Sequence, residues 1–319
     1  FVLAEGSGGW FAVFFFLVFS WAELVWPENA VPVKLARVTL AYCLVTWAAM
    51  AAFGRRVWLD QGDPFAKFFT LVARFAPIDA DRRALRPYGS GLVVNAPVSY
   101  SELAFVLLTL STVSFDGVRE TTAWNSVSSW TLGLFYRTGL LALLGNVGAA
   151  ALVKTIGLLT VPLVFLAVYL AACRWSAAIL RGSAAHDIGT TWDIACLLVL
   201  TLVPIAVGYH LAHYLSYLLV QGQAIIPLAS DPFGVGWNLF GTGGYQPDTE
   251  LVSARFVWIV AVVTIVSGHV AAVFVAHATT LRAFGSSPAV IRSQFPVLAL
   301  MVAYTVFSLW VLSQPIVEG

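Results

Sequence analysis

Charged side chains are scarce in this sequence. Asp, Glu, Lys and Arg make up 10% of its 319 residues, whereas 60% are hydrophobic. Soluble domains carry about 25% charged residues. A chain with so few charges cannot cover a folded surface with groups that water solvates, and its formal net charge of +1 provides no field for nucleic acid. These shortages exclude the soluble, disordered and nucleic-acid-binding classes.

Cysteines are few, and several catalytic motifs are missing. The three cysteines, Cys43, Cys173 and Cys196, lie in or beside apolar runs. An odd set placed this way does not form a disulfide framework. The sequence contains no phosphate-binding loop and no HExxH, GxSxG or CxxC motif. It therefore indicates neither a primary pump nor a protease with a known motif, and it shows no internal repeat of the kind found in many transporters.

Long apolar runs are what the chain has in abundance. A membrane-spanning helix needs about 20 mostly apolar residues. Seven runs qualify, at residues 8–26, 34–53, 100–115, 150–173, 192–220, 252–281 and 295–313. An eighth stretch, 130–148, carries Arg137 and Asn146, and we interpret it as a half-span or interfacial helix. The sequence predicts an all-α integral membrane protein with about seven transmembrane helices, forming a single domain over residues 1–319. Because the chain starts at Phe1 without Met, we expect further N-terminal helices to precede it.

The connections between these runs differ in charge. Residues 54–99 contain seven Lys and Arg, whereas residues 221–251 contain none. The positive-inside rule therefore predicts a cytoplasmic 54–99 loop, an outer-face 221–251 loop and a C-terminus outside. Within the first of these loops, Pro64 and the Phe residues that follow predict an amphipathic helix over 63–75 on the inner face of the bilayer.

Four histidines lie in the fifth and sixth predicted spans. His210 and His213 are three residues apart, which places them on one helix face. His269 and His277 are eight residues apart, about 12 Å along a helix, so they cannot share one ion. Neutral imidazole is the commonest metal ligand. We therefore expect a divalent transition metal (Zn, Cu, Fe or Mn) on His210, His213 and His269, with His277 needing its own partner. The alternative is four histidines that hydrogen-bond to Ser, Tyr and backbone carbonyls between helices.

Two carboxylates are candidates to complete this site. Asp116 follows the third span at the outer face, and Asp231 lies in the outer loop. Either would act as a fourth metal ligand or as a general base. Both also fit plain turns, because Gly117 follows Asp116 and Pro232 follows Asp231. Glu23 is interpreted as an ion-pair partner of Lys34 or Arg37.

Several segments resemble a bacterial family of multi-pass membrane proteins labelled fenitrothion hydrolase. These are WLDQGD and FAP in the first loop, residues 114–122, YHLAHY, DPFGVGWNLFG, GHVAAVFVAH, and the ending from SQFP to LWVLSQP. The likeness runs from about Trp58 to Pro315. It implies a hydrolase of apolar phosphotriesters or esters in the bacterial inner membrane. A metal held by the histidines would activate water there, with Asp116 or Asp231 as ligand or base.

Two other functions fit the same residues. A transporter or metal-conducting protein predicts a continuous polar path from Asp231 to His277, whereas an enzyme predicts a path closed on the cytoplasmic side. An accessory subunit of a larger membrane complex would use the 63–75 helix and exposed Phe side chains to contact other membrane subunits.

Overall fold

The protein is an almost entirely helical bundle. The computed structural model describes residues 9–79, 83–181 and 190–314. Its α-helices, in chain order, are α1 (Gly9–Leu24), α2 (Pro32–Phe53), α3 (Arg55–Val57), α4 (Pro64–Phe75), α5 (Tyr100–Arg119), α6 (Thr122–Arg137), α7 (Leu140–Arg181), α8 (Thr191–Leu198), α9 (Val203–Gln221), α10 (Ile225–Ser230), α11 (Ala254–Phe284), α12 (Pro288–Arg292) and α13 (Phe295–Ser313). Short strands β1 (Ile78–Asp79) and β2 (Ala84–Leu85) pair antiparallel. The all-α fold class is confirmed. Phe1, Pro315 and the first residue of the predicted span 8–26 lie outside the described residues.

Six helical segments of the described chain are long and apolar enough to cross a membrane. They are Pro32–Phe53, Tyr100–Arg119, Leu140–Arg181, Thr191–Ser230, Ala254–Phe284 and Pro288–Ser313. Each coincides with one of the seven predicted spans. The remaining predicted span corresponds to α1, which is apolar but has 16 residues in the described part of the chain.

The spans alternate in direction. We call the end of the bundle where α5 begins the lower end and the end where α5 finishes the upper end. Helix α1 runs parallel to α5, because Gly9 packs on Ser101 and the backbone oxygen of Leu24 accepts a hydrogen bond from Arg119. At the end of α13, Val311 lies against Gly117 near the upper end of α5. The last helix therefore finishes at the opposite end from the 54–99 connection, as the predicted topology requires.

Helix α5 forms the centre of the bundle and is buried along almost its whole length. Its hydroxyl side chains bond to their own helix: Thr109 donates to the carbonyl of Phe105, and Ser114 donates to that of Leu110. Such local bonds satisfy polar groups in an apolar interior. They allow a Ser- and Thr-rich helix to lie where water is excluded.

Glycines bring α9 and α11 into close contact. A Cβ atom on Gly208 would lie 2.8 Å from the carbonyl oxygen of Thr264, and one on Gly268 would lie 2.7 Å from that of Pro204. Real Cβ atoms do not approach a backbone oxygen so closely, so each position requires glycine. Small residues at a helix seam let two backbones approach in a membrane.

The amphipathic helix predicted at 63–75 is present as α4, and the Asp63 side chain caps it by accepting from the Ala66 N–H at 2.8 Å. At its first turn Phe65 packs on Phe19 of α1, ten residues or about 15 Å from the lower end of that helix. At its last turn Arg74 pairs with Glu102 at the start of α5. Helix α4 thus slopes from mid-bundle to the lower end and packs against neighbouring helices; its position relative to the bilayer stays a prediction.

The stretch at 130–148 contains no continuous helix. Helix α6 ends at Arg137, α7 begins at Leu140, and Gly145 interrupts α7 with φ 68° and ψ 171°. Phe135 packs on Ala149 and Val153, so α6 folds back on the first turns of α7. This arrangement agrees with a stretch that does not cross the membrane by itself.

Candidate functional site

A carboxylate and an imidazole meet at the upper end of the bundle. Asp116 is on the last turns of α5, and its Oδ2 lies 2.6 Å from Nε2 of His213 on α9. The Asp116 side chain is 10% exposed and that of His213 is 27% exposed. The Nδ1 atom of His213 makes no hydrogen bond to any described residue. A carboxylate that bonds one ring nitrogen orients the imidazole and leaves the other nitrogen for chemistry.

Arg119 joins this pair to α1. It is three residues after Asp116, so both side chains project from one face of α5. Its Nη2 lies 2.9 Å from Oδ1 of Asp116, its Nη1 donates to the Leu24 carbonyl at 2.8 Å, and its Nε donates to Glu120 at 3.1 Å. The guanidinium therefore ties the end of α1 to the carboxylate that holds His213.

A second carboxylate extends the cluster. Glu23 of α1 accepts a hydrogen bond from the Tyr214 hydroxyl at 3.1 Å, and it interacts electrostatically with Asp116, His213 and Arg119. The pairing expected from the sequence is therefore wrong for Glu23, because Lys34 pairs with Glu28 instead. With Glu120, the site has three carboxylates against one guanidinium. The carboxylates therefore outnumber the cation around the His213–Asp116 pair.

A cavity of about 310 Å³ adjoins the pair. Its walls include Tyr209, Ala212, His213, Glu120 and Ile265. Gly117 leaves room here, because a Cβ atom at this position would lie 3.0 Å from the Tyr209 hydroxyl oxygen. The cavity thus places an imidazole, a phenol and an exposed carboxylate around a largely apolar space.

The other predicted histidines make separate contacts. His210 forms a hydrogen bond with the backbone carbonyl of Ala206 on its own helix, and its ring packs on Phe68 of α4. His269 bonds the carbonyl of Ile265, and its ring lies 5.6 Å from that of Tyr304. His277 lies near the lower end, where Nδ1 is 2.8 Å from Oε1 of Gln294. The structure therefore does not bring His210, His213 and His269 into one cluster.

The glycine seam explains this separation. A shared metal requires the imidazoles of adjacent helices to point at each other. Because Gly208 and Gly268 occupy the contact between α9 and α11, the histidines beside them turn toward α4, α5 and α13 instead.

The expected metal does not fit the donors of this site. Among the described residues, no group of three or more His, Cys, Asp or Glu side chains is arranged to hold a metal ion. Near His213, the natural second ligand would be Asp116. Both of its oxygens are already bonded, one of them to the cationic Arg119 at 2.9 Å. A divalent cation there would face a guanidinium, which repels it.

Asp231 is bonded within its own loop. Its carboxylate accepts from the backbone N–H of Val235 at 3.0 Å and of Gly236 at 2.7 Å. Ser230 bonds Asn238 and thereby closes the same turn. These bonds are those of a folded loop, and they leave Asp116 as the carboxylate that contacts a histidine.

The sequence did not single out Arg119 or the tyrosines around the pair, and it assigned Glu23 to other partners. The signal for Arg119 was present, because an Asp and an Arg three residues apart share one face of an apolar helix. The roles of Tyr209, Tyr214 and Tyr304 follow from which helices are neighbours. Tyr304, for example, bonds Ser114, which is 190 residues away in the chain.

Comparisons with known proteins add no constraint. No family model, curated protein or solved structure matches this chain. The chemistry of the site is therefore argued from its own geometry.

Proposed function

We propose that this chain is a membrane-embedded hydrolase of apolar esters or phosphotriesters, with His213 as its general base. The observation that carries the proposal is the 2.6 Å bond between His213 and Asp116 at the wall of the upper cavity. A histidine oriented by a carboxylate is a recurring arrangement for proton transfer in hydrolysis. The sequence resemblance to the fenitrothion hydrolase family supports the same reaction class.

In the proposed reaction, Nδ1 of His213 takes a proton from water while the water oxygen bonds to the acyl carbon or phosphorus. The bond to the leaving alcohol or phenol breaks, and the imidazolium returns the proton to the leaving oxygen. Asp116 stabilises the imidazolium. The Tyr209 hydroxyl lines the same cavity and would donate a hydrogen bond to the substrate oxygen that becomes negative.

The apolar walls indicate the substrate class. A cavity bounded by Ala212, Ile265 and neighbouring aliphatic side chains favours an uncharged substrate that partitions into the bilayer. We also propose that the protein lies in the bacterial inner membrane with its upper end outside, on the strength of the loop charges.

The separation of two cavities along α13 favours hydrolysis over transport. A cavity of about 50 Å³ beside His277 lies toward the lower end, and Met301 is in its wall. The upper cavity reaches Ser308, which is seven residues after Met301, or about 10 Å farther along α13. Between them the ring of Tyr304 packs on those of Tyr209 and His269. Asp231, the other end of the expected path, bonds its own loop.

The proposal is tested by assaying the purified protein in nanodiscs with an apolar nitrophenyl ester and an aromatic phosphotriester. General acid–base catalysis contributes about 10²–10⁴-fold, so His213→Gln should lose at least about 100-fold in rate. His277 is an exposed histidine toward the other end of the bundle, so the His277→Gln variant should keep the wild-type rate. Absence of hydrolysis by the wild-type protein, or full activity of His213→Gln, would overturn the proposal.

A further inference from the structure

An apolar groove lies away from the His213 site, along the lower half of the bundle. It encloses about 600 Å³ between α1, α5, α7 and the start of α8. Its walls include Leu107, Leu163 and Leu166, and Leu163 is 65% exposed. The groove is therefore open along its side, where the surface of the spans is apolar.

Three aromatic side chains mark its lower rim. Trp10, Tyr100 and Trp192 lie at the lower end, in the first turns of α1, α5 and α8 as described, and line the groove. The rings of Tyr100 and Trp192 pack edge to face at 5.9 Å. Trp and Tyr are enriched where a bilayer meets water, so this rim indicates the depth of the membrane boundary.

A second cavity continues the groove past this rim. It shares Trp192 with the groove, encloses about 760 Å³, and is lined by Arg174 and Arg181. Along α7, Leu163, Ala167, Leu170 and Arg174 recur every three or four residues, which places them on one helix face. The stripe changes from apolar to cationic over eleven residues, or about 17 Å. One leaflet of hydrocarbon is about 15 Å thick.

We propose that this surface binds one anionic phospholipid, with an acyl chain in the groove and the phosphate at Arg174. The length of the stripe matches one leaflet, and the cationic end lies at the aromatic rim, where a phosphate group would be. A guanidinium pairs with phosphate through two parallel hydrogen bonds. Among the described carboxylates, the one nearest to Arg174 in sequence is Asp193, and it bonds Thr190 in the cap of α8. Arg174 makes no ion pair with any described residue, and its charge favours a lipid with net negative charge over a zwitterionic one.

Native mass spectrometry of the detergent-purified protein tests this. The probes are phosphatidylglycerol and phosphatidylcholine with identical acyl chains, supplied in equal amounts. The wild type should retain more phosphatidylglycerol than phosphatidylcholine. In Arg174→Gln the ratio of bound phosphatidylglycerol to bound phosphatidylcholine should fall about five-fold. Ala104→Phe, which fills the groove, should lower retention of both lipids.

Arg55→Gln is the matched control, because Arg55 is an exposed arginine at the same end of the bundle. It should leave the preference unchanged. Equal retention of the two lipids by the wild type, or full preference in Arg174→Gln, would overturn the proposal. Failure of the wild type to retain either lipid would also overturn it and would favour a protein segment as the occupant. Because Arg174 is exposed, its substitution does not endanger folding.

Discussion

Residues of one type on neighbouring turns have different roles in this protein. His210 and His213 are one turn apart, yet the first packs on Phe68 and the second bonds Asp116. The neighbouring helix that each imidazole faces decides which group it contacts. Metal-ligand spacing along one helix is therefore a weak guide inside a bundle, where each face of a helix meets a different neighbour.

Arg119 should be essential for the stability of the upper end. Arg119→Gln would leave Asp116 buried without its cation and would free the end of α1. Breaking a buried ion pair costs about 3–5 kcal/mol. We expect the free energy of unfolding in detergent to fall by about 3 kcal/mol. Arg137→Gln, at the end of α6, is the control and should change it by less than about 0.5 kcal/mol. Equal free energies of unfolding for the two variants would show that Arg119 does not stabilise the upper end of the bundle.

The sequence was sufficient to find Asp116 and His213 as candidates, since ionisable residues in or beside apolar runs are costly and so point to a role. It was not sufficient to pair them. The two residues are 97 positions apart in the chain, and nothing in the sequence between them specifies that α5 and α9 are neighbours. Glu23 was assigned other partners for the same reason, because its actual partner Tyr214 is on α9. Arg119 was overlooked although its spacing from Asp116 places both on one helix face.

At the scale of elements, the seam between α9 and α11 should be intolerant of added atoms. The Cβ of Gly268→Ala would lie 2.7 Å from a backbone oxygen that cannot rotate away, so the helices must separate. Overpacking of this kind costs about 1–3 kcal/mol. The melting temperature of this variant in detergent should fall.

The matched control for the seam is Gly133→Ala on α6, where a Cβ atom would meet nothing within 4 Å. Alanine is favoured over glycine in a helix by about 1 kcal/mol, so this variant should melt no lower than the wild type. Similar melting temperatures for the two variants would contradict a tight seam.

Patterns in the sequence predicted the presence of the helices more accurately than their positions in the bundle. Apolar runs define spans by length, and the pattern after Pro64 defines α4 together with its cap. Amphipathicity indicates that one face of α4 packs against something, but it does not distinguish a bilayer surface from a bundle interior. The depth of α4 is set by Phe65 and Arg74, whose partners lie on three other helices.

For the whole molecule, the loop charges predict that the lower end faces the cytoplasm. Single cysteines introduced into a cysteine-free background test this in intact cells. An impermeant maleimide should label Trp237→Cys in the outer loop and should label Arg55→Cys after the cells are opened. Labelling of Arg55→Cys in intact cells, with Trp237→Cys protected, would reverse the orientation.

The central claim is that Asp116 and His213 act as one catalytic unit, and a double-mutant cycle tests it most directly. The value of kcat/KM for an apolar ester would be compared among the wild type, His213→Gln, Asp116→Asn and the double variant. Residues that act as a unit have non-additive effects. We therefore predict losses of at least about 100-fold in each single variant and no further loss in the double variant. Wild-type activity in His213→Gln, or losses that multiply in the double variant, would contradict the account.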